Sequence, residues 1–222
     1  MNMEKKIKFR PPIPEVVLER LALYHCLLQD WLISGRTEPV TSREISQALN
    51  LTDETVRRDL SFLETSTGKP GVGYEINELF EVIGEKLAME SRLPVLFIGS
   101  LKMVDALLGI FSLEKFGFTP EGFFSENPGD AGKLFRGFRV KTLLSLSKDE
   151  IPRGVRLAII ATSPEWTQHA IEKAAECGIK GILNLTPMVV SKIPRGVELI
   201  QLRYPCYLKI LAYKTNPLAI ER

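Results

Sequence analysis

Residues 41–74, TSREISQALNLTDETVRRDLSFLETSTGKPGVGY, leave little freedom in what they can fold into. Thr41 can cap a helix, and Glu44 three residues on completes a capping box. Ile45, Ala48 and Leu49 give that helix one apolar stripe. Asn50 tolerates the left-handed conformation that ends it. Thr52 or Asp53 caps a second helix, whose Val56, Leu60 and Leu63 turn inward while Arg57 and Arg58 lie on the other side. This is helix-turn-helix spacing, with a second helix able to enter a DNA major groove. A plain helical hairpin with a solvated basic face would share the pattern. What favours the winged helix is the next stretch, Thr67-Gly68-Lys69-Pro70-Gly71-Val72-Gly73-Tyr74, too rich in glycine for a helix and suited to a hairpin. The residues expected at duplex DNA are Ser42, Arg43, Thr55, Arg57, Arg58, Ser61, Lys69 and Gly71, with Lys69 at the wing tip.

The flanks complete a small helical domain. Residues 15–34 carry Val17, Leu18, Leu21, Leu23, Tyr24, Leu27, Leu28, Trp31 and Leu32 as one broad apolar side, and Gly35 is a good stop. Residues 76–89 keep helical spacing at Leu79, Phe80, Val82, Ile83 and Leu87. Ahead of both lies a basic arm with Lys5, Lys6, Lys8 and Arg10, which Pro11, Pro12 and Pro14 keep out of a helix. The arm either reaches a phosphate backbone or frays. Residues 90–93 form a short polar joint. The expected division is a winged-helix DNA-binding domain over 1–90 and a second domain over 91–222.

From Pro94 the period changes. Pro94-Val95-Leu96-Phe97-Ile98-Gly99 is a continuous apolar run ended by glycine, as in a buried parallel strand. Residues 100–111 predict a helix, 122–125 a second strand, 155–162 a third and 164–177 a helix stopped by Gly178. Residues 179–185 and 197–202 predict two more strands, and Pro205 opens a last helix through Tyr213. Strands alternating with helices predict an α/β fold: a Rossmann-like, doubly wound parallel sheet with right-handed crossovers.

A strand that ends in glycine and feeds a helix is where such a sheet holds pyrophosphate. Of G-x-G-x-x-G, the six residues Gly99-Ser100-Leu101-Lys102-Met103-Val104 keep only the first glycine. Leu101 puts bulk where the backbone should approach phosphates, and Val104 stands where a third glycine lets helix and strand pack. The acid expected at the end of the second strand is replaced by Ser125, with Glu126 next. Ser125 can donate one hydrogen bond to a ribose but lacks a carboxylate's charge. Lys102 and the helix end can still attract an anion. Two readings stand: a scaffold kept for dimerisation with its pocket closed or repurposed, or an altered but occupied pocket.

Composition excludes several classes. Of 222 residues, 45% are hydrophobic and 25% charged, the balance of a globular chain rather than a disordered one. A net charge of +2 is no nucleic-acid signature by itself; what matters is where the positive charge is displayed. Cys26, Cys177 and Cys206 are too scattered for a disulfide framework, and with only His25 and His169 no metal site is expected. Lys102 and Asp105 interrupt the most apolar run, so no membrane partner is expected. No apolar leader follows the amino terminus, which makes the cytoplasm the expected location. Catalysis would need a proton donor with a partner. His169 reads as a solvent-facing helix residue, and the chain is not expected to be an enzyme. Trp31, Trp166 and Cys177 read as packing residues, with a pocket cover as the alternative for Trp166 near a helix start.

Three stretches carry a resemblance that spans about residues 14–213. They are Arg57-Arg58-Asp59-Leu60-Ser61-Phe62 followed by Gly71-Val72-Gly73-Tyr74; Gly132-Lys133-Leu134-Phe135-Arg136-Gly137; and Gly178-Ile179-Lys180-Gly181-Ile182-Leu183-Asn184 with Pro187 close behind. In order and spacing they resemble the Rex family of redox-sensing transcriptional repressors. The resemblance implies a homodimer of winged-helix and Rossmann domains, with the C-terminal helix swapped onto the partner. It implies double-stranded operator DNA as partner, bound when the NADH to NAD ratio is low and released when NADH binds. Arg57 and Arg58 would sit on the recognition helix and Lys69 on the wing. NAD(H) would be held around Gly99, Ser100, Leu101, Lys102, Met103, Val104, Ser125, Thr162, Asn184 and Pro187.

The departures from the family fall mostly on sensing. Two glycines and the ribose acid are absent, and the family's Asn-Phe-Ala-Pro is Asn184-Leu185-Thr186-Pro187. The family's Asp, Arg and Tyr relay between ligand and DNA geometry matches Arg203, Cys26 and Ile110, which cannot form the original ion pair. Beside the wing tip, Pro70 replaces a usual Arg. An NADH response weakened or lost is the expectation. The alternatives are another nucleotide or a coenzyme A-type ligand, or none.

Overall fold

The computed structural model describes residues 13–63, 68–69, 71–89, 91–110 and 112–216. Most of the basic arm, the Lys69 side chain, Pro70, Phe111 and residues 217–222 of the tail lie outside the described residues. The chain divides into two compact units, Met1–Ser91 and Arg92–Arg222.

In the first unit, α1 (Glu15–Ile33) buries Val17, Leu21, Tyr24 and Leu28, a row at spacings of three and four. Leu18 and Leu23, expected in the same apolar side, are 42% and 52% exposed. The other helices of the unit cover only the central row, so its flanks stay wet. Gly35 follows at φ +87°, the left-handed stop the sequence predicts. Next come α2 (Ser42–Leu49) and α3 (Asp53–Leu60), then a 3-10 turn, Ser61–Leu63, that delivers Leu63 to the core. Thr41 and Glu44 form the reciprocal capping box, Asn50 is left-handed at φ 54°, and Thr52 rather than Asp53 caps α3. Ala48 is exposed, against expectation; Ser46 takes the buried place beside Ile45, its hydroxyl donating to the Arg43 carbonyl.

The hairpin is β1 (Gly68–Lys69) with β2 (Gly73–Tyr74), antiparallel. Val40 and Tyr74 exchange two backbone hydrogen bonds of 2.8 Å, which fastens the hairpin to the strand-like entry of α2. Gly73 is required there: at φ +103°, a Cβ would stand 2.5 Å from the Val40 carbonyl oxygen. The unit closes with α4 (Ile76–Lys86), which buries Ile76, Leu79 and Ile83 into one core with α1, α2 and α3.

The second unit runs β3 (Leu93–Gly99), α5 (Leu101–Ile110), β4 (Phe118–Ser125), β5 (Leu134–Phe135), β6 (Phe138–Arg139), β7 (Lys141–Thr142), β8 (Leu157–Ala161), α6 (Pro164–Glu176), β9 (Gly181–Asn184), β10 (Glu198–Gln201) and α7 (Tyr204–Thr215). Six strands lie in the order β10-β9-β8-β3-β4-β7, every neighbouring pair parallel. Counted within this sheet the order is 6-5-4-1-2-3, the dinucleotide-binding arrangement with its switch point between β3 and β8. Alternate residues of β3 go to opposite faces. Val95 and Phe97 join Val104 of α5, while Leu96 and Ile98 join Ala170, Ile171 and Ala174 of α6. Burial on both faces is why the strand reads as an unbroken apolar run.

Three features differ from the sequence reading. β4 begins at Phe118, four residues early, because Phe118, Thr119 and Pro120 pair with Leu93, Pro94 and Val95. The register shifts just after, at a strand position where proline has no N–H to give the ladder. Leu93 therefore belongs to a strand, not to the polar joint. Between β4 and β8 the chain adds the β5–β6 hairpin and the edge strand β7, each strand too short for a periodic signal. Among the described residues no helix is long and apolar enough to cross a membrane, and no cluster of His, Cys, Asp or Glu could hold a metal.

Candidate nucleic-acid interface and nucleotide crevice

Arg57 and Arg58 project from α3 with side chains 65% and 73% exposed. Each is held by the acid one turn earlier on the same helix, Arg57 by Asp53 and Arg58 by Glu54 at 2.8 Å. The Arg57 Nε also donates to the Ser42 hydroxyl at 3.3 Å, which ties α3 to the first residue of α2. Arg57 and Ser42 hold the Asp53 carboxyl below its usual pKa, so this mutual tether is ionised at neutral pH. Exposed pairs of this kind are screened and exchange readily, so a phosphate or base edge can replace the intrahelical acid.

A cleft of about 430 Å³ opens where the helices meet the hairpin, lined by Thr41, Ser42, Arg57, Gly68, Gly73 and Tyr74. Gly71 at the turn is exposed at φ +80°. Arg43 and Ser61 are exposed and Thr55 half-buried. Two hydroxyls work locally: Ser61 donates to the Arg58 carbonyl at 2.6 Å, and Thr55 shares a 2.7 Å hydrogen bond with Thr52. Sequence reasoning missed what supports this surface from behind. Asp59 is 1% exposed and accepts two hydrogen bonds from Arg20, at 2.5 and 2.7 Å, plus one from the Tyr24 hydroxyl at 2.6 Å. Burial, then Asp59, pushes the Tyr24 phenol above its ordinary range. Arg20 and Tyr24 are four apart on one face of α1, so they grip one carboxylate together and fix the roll of α3. The only signal in the sequence is an acid beside Leu60 on the inward face of an otherwise amphipathic helix.

In the second unit, Gly99 ends β3 at φ +142°, and a Cβ there would lie 2.3 Å from the Ala161 carbonyl and 2.6 Å from the Thr162 nitrogen. Only glycine lets β3 and β8 run this close at the switch point. The Ser100 amide donates to the Ala161 carbonyl, and its own carbonyl accepts from Val104. The amides of Leu101, Lys102 and Met103 thus form the first turn of α5, which has no intrahelical acceptors. Leu101 is half-buried and packs on the Val95, Phe97 and Val104 cluster, so its bulk goes into the core. Val104 fills the helix–strand seam at 1% exposure, in place of the expected third glycine. Lys102 and Met103 are exposed.

The remaining candidates divide. Thr162 and Asn184 are buried and spent on loop geometry: the Thr162 carbonyl accepts from the Thr186 hydroxyl at 3.0 Å, and Asn184 Oδ1 accepts from the Thr186 amide at 3.0 Å. Pro187 is exposed. Ser125 is 1% exposed and does not offer its proton outward; its hydroxyl donates to Asp130 Oδ2 at 2.8 Å and accepts from the Asn127 amide at 3.1 Å. Glu126 Oε1 accepts from the Ser163 amide at 3.1 Å, and burial raises its pKa. That bond runs from the end of β4 to the start of α6. His169, expected at the solvent, is half-buried edge-on to Trp166 at 5.7 Å.

Comparison with known proteins agrees with this two-part geometry. The family described as "Putative DNA-binding protein N-terminus" matches residues 12–61, and the one described as "CoA binding domain" matches residues 90–188. The redox-sensing transcriptional repressor Rex 1 of Thermotoga maritima is 31% identical over 91% of this chain and 95% of its own length. The Rex repressor of Roseiflexus sp. is 30% identical over 83% of this chain and 82% of its own. Among solved structures, RSP, a Rex-family repressor, superposes with a TM-score of 0.77 at 26% identity, covering 95% of this chain and 97% of its own. The same protein in complex with β-NAD+ and operator DNA gives 0.80, covering 95% of each chain. Identity at this level over nearly the whole length, with both units matched in order, places the chain in the Rex family of redox-sensing transcriptional repressors.

Proposed function

We propose that this chain represses transcription as a homodimer, binding operator DNA through α3 and the hairpin wing and binding NAD(H) at the β3–β8 switch point. The first unit then serves as the DNA-binding domain and the second as the sensing and dimerisation domain, in the cytoplasm. The observation that carries the reading is the exposed Arg57–Arg58 pair beside the wing cleft. Of the candidate contacts, Ser42, Arg57 and Gly71 line that cleft. The homodimer is supported by α7, which has no buried residue and exposes Tyr207, Leu208, Ile210, Leu211 and Tyr213. An apolar helix left so bare is what a second copy would cover.

The expected result in a gel-shift titration is that Arg57→Ala and Arg58→Ala each weaken operator binding roughly five- to hundredfold where the arginine reads a guanine. An arginine that only meets phosphate instead lowers the salt slope by about one. Unchanged affinity and unchanged slope for both would remove α3 from the interface.

The residues at the crevice fit a dinucleotide: Gly99 lets β3 and β8 close together at the switch point, and the first turn of α5, which begins just beyond it, offers its amides to a pyrophosphate. Bound there, NAD(H) would supply the redox signal, since reduction changes the charge of its nicotinamide ring. The coupling is where this chain is weakened. Arg203 and Cys26 are exposed and Ile110 is 81% exposed, a set that cannot remake an Asp–Arg pair. NADH titration read both by binding and by operator release is expected to show binding with reduced release. Full release would overturn the weakened response, and absence of binding would overturn the dinucleotide site. A coenzyme A-type ligand is the second reading, favoured by the match of residues 90–188. A thermal-shift panel of NADH, NAD, ATP and acyl-CoA separates the two, because a ligand at ~100 times its Kd stabilises by about 2.7 kcal/mol.

A further inference from the structure

We propose that Asp130 replaces the missing ribose acid of the second strand, and that it makes the crevice select NAD(H) over the 2′-phosphorylated dinucleotide. This inference rests on the dinucleotide reading above. In a sheet of this order the adenosine ribose meets the carboxyl end of the second strand, where a carboxylate accepts from its hydroxyls. Here that strand is β4, and its last residue is Ser125. The sequence alone leaves the position uncharged. In the fold, the chain turns back through Asn127 and brings a carboxylate to it: the Ser125 hydroxyl donates to Asp130 Oδ2 at 2.8 Å.

That contact settles what the position can offer. The Ser125 proton is committed to Asp130 and its oxygen already accepts from the Asn127 amide, so serine has no donor left for a ribose. The free capacity belongs to Asp130, whose oxygens each keep a second lone pair and whose side chain retains 13% exposure. Lys133, at 2.6 Å from Oδ1, and Ser125 hold the carboxyl below its usual pKa, so it is an anion at neutral pH. An anion accepts from a 2′-hydroxyl and repels a 2′-phosphate. Lys133, a cation beside this carboxylate that could have taken the phosphate, is engaged by the same aspartate.

The test is calorimetric titration of the full-length protein and of Asp130→Asn with NADH, NADPH and 2′-deoxy-NADH. Asp130→Asn keeps the shape, and its unfolding midpoint is measured alongside. The wild type is expected to bind NADH at least about tenfold more tightly than either analogue, the discrimination expected of a charged hydrogen bond. In Asp130→Asn both ratios are expected to shrink toward one. The 2′-deoxy arm needs no change in the protein, so it remains decisive if the variant folds poorly. Wild type that binds NADH and its 2′-deoxy analogue equally, or prefers NADPH, overturns the role of Asp130 while leaving the site intact. Wild type that binds none of the three overturns the dinucleotide reading itself.

Discussion

Asp59→Ala is expected to lower the stability of the first unit by about 3 kcal/mol, the low end for breaking a buried ion pair because Arg20 keeps 22% of its side chain in water. The loss has a definite origin. Removing the carboxylate strands the Arg20 guanidinium and leaves the Tyr24 hydroxyl, on a residue 0% exposed, without its acceptor. Denaturant unfolding followed by circular dichroism reads the effect as a shift in midpoint at unchanged slope. The triple variant Arg20→Met, Tyr24→Phe and Asp59→Leu is expected to recover most of it, since it also removes the Tyr24 hydroxyl that would otherwise lack an acceptor, and apolar residues of similar size often replace a buried ionic cluster at little cost. Operator binding separates stability from function. α3 carries Arg57 and Arg58 on one side and Asp59 on the other, so freeing its roll misaims both arginines. Asp59→Ala is therefore expected to weaken operator affinity even at temperatures where the unit remains folded. A variant with wild-type stability and wild-type affinity would show that the Arg20–Asp59–Tyr24 cluster holds nothing in place.

Gly99→Ala is the second large effect. The new methyl would overlap the Ala161 carbonyl at 2.3 Å; the methyl is fixed on Cα and the carbonyl is backbone of the paired parallel strand, so neither can rotate aside. The φ of +142° adds strain for any residue with a Cβ. Strain and overpacking of this kind cost about 1–3 kcal/mol each. β3 and β8 must separate at the switch point, which displaces the amide turn that opens α5. The expected outcome is a lowered unfolding midpoint together with loss of dinucleotide binding. Gly109→Ala is the control: it lies in the same α5 with nothing within 4 Å of its Cβ, and is expected to be neutral or to stabilise by about 0.5–1 kcal/mol. Equal behaviour of the two variants would show that close approach of β3 and β8 does not require glycine at position 99.

The capping box at Thr41, the left-handed Asn50 and the glycine hairpin rest on interactions within a few residues, and they appear in the fold as read. The apolar run of β3 was readable because burial on both faces leaves no alternation to interpret. Where to stop counting a face was not readable: Leu18 and Leu23 carry the same hydrophobicity as Leu21, and only the neighbours of α1 decide that one is covered and the others are wet. The early start of β4 and the two-residue β7 depend on a partner strand rather than on their own residues. Leu101 illustrates the same limit at the candidate site. Its size suggested an obstructed phosphate loop, and its packing sends that size into the core.

The sequence by itself determined the two kinds of unit, the place where the period changes, the basic helix with its wing and the glycine at the end of the first buried strand. Each of these is encoded by dihedral preference, capping chemistry or hydrophobic period over a short stretch. Only the tertiary structure decided which acids matter. Asp59 reaches Arg20 across 39 residues, and Asp130 reaches Ser125 by a turn that no periodicity announces. Side-chain charge is written in the sequence, but its desolvation and its partners are set when distant segments are brought within 3 Å, and those two quantities fix whether a carboxylate is a solvated surface group, a structural anchor or a binding site.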